Sequence, residues 1–159
     1  MKYISRSIDK TLEEWKESTT HKPLLLRGAR QVGKSSAVRH LGTQFKYFAE
    51  VNFESAKSIA TFFKGDLDVK LISSKISNYI QVPIIPGQTL LFLDEIQACP
   101  EAIMALRFFK EDYPELHVIA AGSLLEFALQ SLPTFGVGRI HIVFMYPMTF
   151  DEFLVAMDM

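Results

Sequence analysis

Cysteine is almost absent from this 159-residue chain. Cys99 stands alone, so no disulfide framework is available to staple the fold. Long apolar runs are missing too: no stretch approaches the roughly 18 unbroken apolar residues that a membrane-spanning helix needs. The first fifteen residues, MKYISRSIDKTLEEW, are charged throughout, unlike a secretory signal. The expected compartment is therefore the cytoplasm, with no membrane partner. Charge of one sign is also lacking, since 17 Lys and Arg meet 18 Asp and Glu for a net charge of −1. His21, His40, His117 and His141 lack metal-ligand spacing, which argues against a metal site made of protein alone. There is no internal repeat and no low-complexity tract. What is present suits an ordinary globular domain: 48% hydrophobic and 22% charged residues. Thirteen Phe, five Tyr and one Trp exclude disorder as a description of the whole chain. The length fits one domain, residues 1–159, around one sizeable core.

The near-neutral total hides an asymmetry. Residues 1–50 carry ten basic and five acidic side chains, whereas residues 51–159 carry seven and thirteen. A general nucleic-acid surface wants a broad basic face. A basic excess confined to the first third of the chain points instead to a local anion site.

Hydrophobic patterning alternates strand and helix five times. Ile8, Leu12 and Trp15 share a helical face, with Ser5 or Ser7 as cap candidates. Leu24-Leu25-Leu26 suits a strand buried on both sides. A helix opens at Gly33, with Gly42 placed as its C-cap. Strands are expected at 47–53, 89–93, 118–121 and 139–146. Helices are expected at 55–63, 69–80, from Pro100 to about residue 112, at 123–130 and from Thr149 onward. Such alternation predicts an α/β fold, a parallel sheet between two helical layers. The last helix ends without a cap, and Phe153, Leu154, Val155 and Met157 have nothing after them to pack on. The chain therefore reads as a piece of a longer protein.

Gly28-Ala29-Arg30-Gln31-Val32-Gly33-Lys34-Ser35 fits G-x-x-x-x-G-K-[ST], between a buried strand and a helix. The glycines let the loop curl, so that backbone N–H groups of Gly28 to Ser36 converge on phosphate oxygens at the positive end of the new helix. Lys34 would reach the β- and γ-phosphates, and the Ser35 hydroxyl would ligate Mg²⁺. Leu90-Leu-Phe-Leu93-Asp94-Glu95 brings two carboxylates to the C-terminal end of an apolar strand, where ligands bind in open α/β sheets. Asp94 would hold the Mg²⁺ shell, and Glu95 would polarise an attacking water. Ser123 follows the fourth strand, where it either watches the γ-phosphate or caps its own helix through the capping box Ser123-Leu-Leu-Glu126. Gln97 is a weaker candidate nearby.

In combination, GARQVGKSS, LLFLDEIQACPEA, VIAAGSLLEF and GRIHIVFMYPMTFDEFL resemble a group of prokaryotic AAA-type P-loop ATPases in order and spacing, from about Tyr3 to Leu154. Ala29 and Ser35 stand where that group usually has Pro and Thr. The resemblance implies a three-layer P-loop NTPase with a parallel five-stranded sheet in the order 5-1-4-3-2. It also implies binding of ATP or ADP with Mg²⁺, and ATP hydrolysis that is slow in isolation. Arg139, flanked by Gly136 and Gly138, would act as an arginine finger toward a neighbouring copy, which makes a homo-oligomer a candidate assembly. Members of the group are generally longer, with a winged-helix-like region and often a nuclease-like domain. Any nucleic-acid contact would come through those parts. Two other readings stay open: a nucleotide-gated interaction module that does not hydrolyse, and a P-loop kinase for a small acceptor. The kinase is disfavoured because Arg139 is the sole basic residue after Lys110, too few for an Arg-rich lid.

Overall fold

In the computed structural model, which describes residues 2–130 and 138–158, the strands dictate the layers. β1 (Leu24–Arg27), β2 (Tyr47–Asn52), β3 (Thr89–Asp94), β4 (His117–Gly122) and β5 (His141–Phe144) form one five-stranded sheet in the order β2-β3-β4-β1-β5, all pairs parallel. Read from the other edge, this is the order 5-1-4-3-2. The helices are α1 (Ile8–Glu17), α2 (Lys34–Gly42), α3 (Val69–Ile80), α4 (Pro100–Asp112), α5 (Leu125–Gln130) and α6 (Phe150–Ala156).

Strand side chains alternate strictly between two cores, because successive Cβ atoms point to opposite faces. Leu24, Leu26, Leu90, Phe92, Ile119 and Ala121 pack with α1 and α2. Leu25, Leu91, Leu93, Val118 and Ala120 pack with α3 and α4 on the other side. Interior β3 is buried at all six positions, as a strand covered on both faces must be. Helix α3 begins where the sequence places it, with the Asp68 side chain accepting the Leu71 N–H at its start. The capping box at the start of α6 forms as its spacing predicts, with Thr149 and Glu152 exchanging hydrogen bonds.

Several local expectations are corrected. The helical stretch expected from residue 55 starts at residue 57 and is a 3₁₀ helix. Gly42 lies inside α2 and Thr43 caps it; a Cβ at residue 42 would press on the Phe48 ring, so packing explains the glycine. Ser7 takes the N-cap place of α1 without a side-chain bond, and Asp9 accepts the Arg6 N–H instead. Strand β5 starts at His141, two residues after Arg139. No residue of α6 is buried; Phe150, Phe153, Val155 and Met157 are all exposed.

At the N-terminal ends of the strands, away from the Gly28–Ser36 loop, the His21 and His117 rings stack with centroids 3.8 Å apart. Trp15 meets both edge-on. His117 Nε2 donates to the Lys16 carbonyl at 3.0 Å, tying α1 to β4. Burial, and then the neighbouring His21, push His117 down from 6.5 to about 4. Folded His117 therefore stays neutral between pH 6.5 and about 4, where the unfolded chain takes up a proton. Stability falls as pH drops through that window and levels off below it. We expect a loss of about 1–2 kcal/mol, allowing for solvent screening of this partly exposed ring. Thermal melts across the window should fall less steeply for His117→Phe than for the parent; parallel curves would show that His117 does not carry the effect.

Candidate functional site

The Gly28–Ser36 loop is shaped at its first residue. β1 ends at Arg27, whose carbonyl accepts the Met145 N–H at 2.8 Å. A Cβ on Gly28 would run into the Met145 carbonyl, so only glycine lets the chain turn away from the sheet here. Gln31 and Gly33 then take left-handed conformations, with φ of 63° and 101°, and curl the loop back to α2. The Gly33 carbonyl closes the first helical turn with Ala37 N–H at 3.0 Å. The first amides of α2 are left without intrahelical partners, facing whatever occupies the loop. Lys34 Nζ folds over the loop and donates to the carbonyls of Gly28 and Ala29, at 2.8 and 2.6 Å. Its pKa is lowered, first by burial, against the opposing pull of Glu95 and Asp94.

β3 delivers the carboxylates to the same place. Ser35 Oγ donates to Asp94 Oδ2 at 2.7 Å, and the Glu95 N–H donates to Asp94 Oδ1 at 2.9 Å. Burial raises the Asp94 pKa; these two bonds oppose the rise, and the charges of Glu95 and Glu50 add to it. Glu95 itself sits at φ 53°, a left-handed conformation that costs a non-glycine residue about 1–2 kcal/mol. The turn sends its side chain into the cleft, where Gln97 Nε2 donates to Oε2 at 2.6 Å. Between these elements lies a cleft of about 270 Å³, lined by Arg30, Gln31, Lys34, Ser35, Glu95 and Ser123 among others.

Ser123 is placed by β4, which lies between β1 and β3. The capping box expected from Ser123 to Glu126 does not hold its hydroxyl. Leu124 adopts φ 52°, α5 starts at Leu125, and Ser123 Oγ is buried with no hydrogen-bond partner among the described residues. Gln97 Oε1 is orphaned in the same way. Orphaned buried oxygens beside a cleft fit a site built for a polar occupant. The donor set of Ser35 hydroxyl and Asp94 carboxylate fits a hard divalent cation such as Mg²⁺.

A second cleft of about 550 Å³ opens on the other side of the loop, sharing Gln31, Gly33 and Ser36 with the first. Tyr3 stacks on His40 along it, with centroids 3.9 Å apart. Sequence reasoning missed this cleft. Its N-terminal wall, Lys2 to Arg6, precedes the first periodic segment and carries no motif, although an Arg and a Tyr just before an amphipathic helix were the available signal.

A protein-family model described as an AAA domain matches residues 20–154. The chain belongs to this AAA domain family. It is an AAA-type P-loop ATPase domain by family and by fold. Among solved structures, Cdc6p from Pyrobaculum aerophilum superposes with a TM-score of 0.59 at 14% identity, covering 98% of this chain and 50% of that one. ORC1 from Aeropyrum pernix, solved in complex with DNA, gives 0.58 at 15% identity, covering 95% and 46%. At such identities the likeness establishes the fold, and this AAA domain spans about half the length of either chain. A search of curated proteins gave no match. No described helix of the AAA domain is long and apolar enough to cross a membrane.

One expected site residue of the AAA domain lies apart from the rest. Arg139 precedes β5, at the strand end opposite the Gly28–Ser36 loop, and its Nε pairs with Glu111 Oε1 at 2.6 Å. It does not approach the cleft of its own chain.

Proposed function

We propose that this AAA domain binds ATP with Mg²⁺ and hydrolyses the terminal phosphate. The observation that carries the reading is the 2.7 Å contact between Ser35 and Asp94, which joins the glycine-rich loop to the carboxylate strand beside the orphaned Ser123 hydroxyl. Loop amides and Lys34 bind the phosphates; Lys34 exchanges its two carbonyl partners for phosphate oxygens. Ser35 and Asp94 would hold Mg²⁺, which would screen charge on the terminal phosphates. Glu95, oriented by Gln97, accepts a proton from the attacking water. Ser123 donates to the γ-phosphate or to that water. The nucleoside lies in the larger cleft, where Tyr3 and His40 offer stacked rings. Calorimetric titration with ATP in Mg²⁺ should show one site per chain, and a phosphate-release assay should show slow turnover. Binding without any turnover would favour the nucleotide-gated module instead.

A trans role for Arg139 is part of the same proposal, since the residue lies away from the cleft of its own chain. Oligomers of Arg139→Ala mixed with Lys34→Ala should regain part of the parent's hydrolysis, since each supplies what the other lacks. If mixed oligomers form and stay inactive, the role is wrong. No nucleic-acid surface is assigned to this domain. With its net charge of −1, duplex DNA should bind no better than the non-specific range of about 10⁻⁴–10⁻⁶ M at physiological salt. Nanomolar binding by fluorescence anisotropy would contradict this.

A further inference from the structure

Arg6 is held on three sides beside the loop. Its side chain is 9% exposed, and its guanidinium meets three separate elements. Nη1 donates to the Val32 carbonyl at 2.7 Å, Nη2 donates to the Tyr146 carbonyl at 2.9 Å, and Nε is ion-paired with Glu152. Arg6 itself is held in place from behind, where Asp9 accepts its backbone N–H at 3.0 Å and also the Tyr3 hydroxyl at 2.6 Å. Glu152 is shared as well: it accepts the N–H of Ser7 at 3.2 Å and that of Thr149 at 3.1 Å, closing the capping box of α6. Burial disfavours its charge, but the bonds from Arg6, Thr149 and Ser7 outweigh that and hold it down at about 2. Glu152 is therefore ionised across the physiological range.

The bond to Val32 bears on the phosphate loop directly. A trans peptide is planar, so the Val32 carbonyl and the Gly33 N–H point in opposite directions. Fixing the carbonyl on Arg6 fixes the amide on the opposite side. Gly33 is also the residue that Arg6 abuts, because a Cβ there would lie 3.0 Å from Nη1. Only one orientation of this peptide satisfies Arg6, and the same orientation sets where the Gly33 N–H points.

We propose that Arg6 is a positioning residue for the phosphate loop, and that its pair with Glu152 couples occupancy of the loop to the docking of α6. The coupling rests on the ATP-binding reading above. The element it acts on is α6, which buries none of its residues, so Arg6 and the Glu152 bonds are its principal described tie to the rest of the domain. Coupling is reciprocal, so nucleotide that tightens the Val32–Gly33 peptide must also tighten α6.

The test combines calorimetry with amide exchange on the 159-residue chain. In the parent, MgATP should slow exchange across residues 150–156 severalfold. Arg6→Ala should bind ATP about tenfold more weakly, as expected for a charge-assisted bond to the loop, and at saturating ATP should show no slowing in α6. Glu152→Gln leaves the Arg6 bond to Val32 available, so it should lose the slowing while keeping most of the affinity. Arg6→Lys keeps the charge but cannot span three acceptors. It should restore the melting temperature without restoring the slowing; full rescue by lysine overturns the three-way role. Slowing that persists in Arg6→Ala overturns the route through Arg6, and a direct path from nucleotide through Met148 then replaces it. If the parent binds ATP and α6 exchange does not respond, the coupling alone fails. If the parent binds no ATP, the functional reading fails and the coupling with it.

Discussion

Glu95→Gln is expected to bind MgATP as the parent does and to hydrolyse it about 10²- to 10⁴-fold more slowly, the usual loss when a general base is removed. The amide keeps the size of the side chain and its contact with Gln97, but it cannot accept a proton from water. The geometry makes this substitution a clean one. The left-handed backbone at Glu95 is set by residue 95's place between β3 and the following 3₁₀ turn, and glutamine has the same backbone preference. Among the described residues its Oε2 takes one hydrogen bond, from Gln97, which the glutamine carbonyl can also accept. Single-turnover rates on saturated protein measure the effect. Equal rates would remove Glu95 from the chemistry and favour a domain that uses nucleotide only as a switch.

Lys34→Ala carries the second large effect. It should lower MgATP affinity about 10- to 150-fold, the worth of one charge-assisted contact to phosphate at about 1.5–3 kcal/mol. The fold should survive, because Lys34 lies at the first turn of α2 and its only described bonds are to carbonyls of its own loop, two peptide groups that water can solvate. Calorimetry reads the affinity, and far-ultraviolet circular dichroism checks the fold. Unchanged affinity with an intact spectrum would mean that the loop does not hold phosphate.

Elements that depend on short-range patterning were legible in the sequence. The loop from Gly28 to Ser35 and the pair Asp94-Glu95 were found because their spacing encodes local geometry, and parallel pairing then brings Asp94 to Ser35. Helix α3 and the capping box of α6 were legible for the same reason. Ser123 shows where spacing misleads: the Ser123–Glu126 interval fits a capping box, but the left-handed turn at Leu124 removes the hydroxyl from its helix. Gly42 has the composition of a helix stop, yet the Phe48 ring demanded a small residue before any turn did. The Arg6–Glu152 pair was beyond reach in principle, since 146 residues separate its members and nothing in either neighbourhood names the other. Arg139 sits between: its glycine-flanked setting was visible, but its partner Glu111 on α4 was not.

The edge position of β5 has a practical consequence. Among the described residues no strand covers its outer side, so a row of backbone donors and acceptors lies open beside the exposed rings of Phe144 and Tyr146. Open edges are templates for pairing with another chain. Here the ribbon is only four residues long, which limits how firmly a stray strand can register on it. Handling of the purified domain should reflect that balance. Crowded samples will form loose, reversible clusters that disperse on dilution, and a lysine placed at Ile142 will raise the concentration at which turbidity begins.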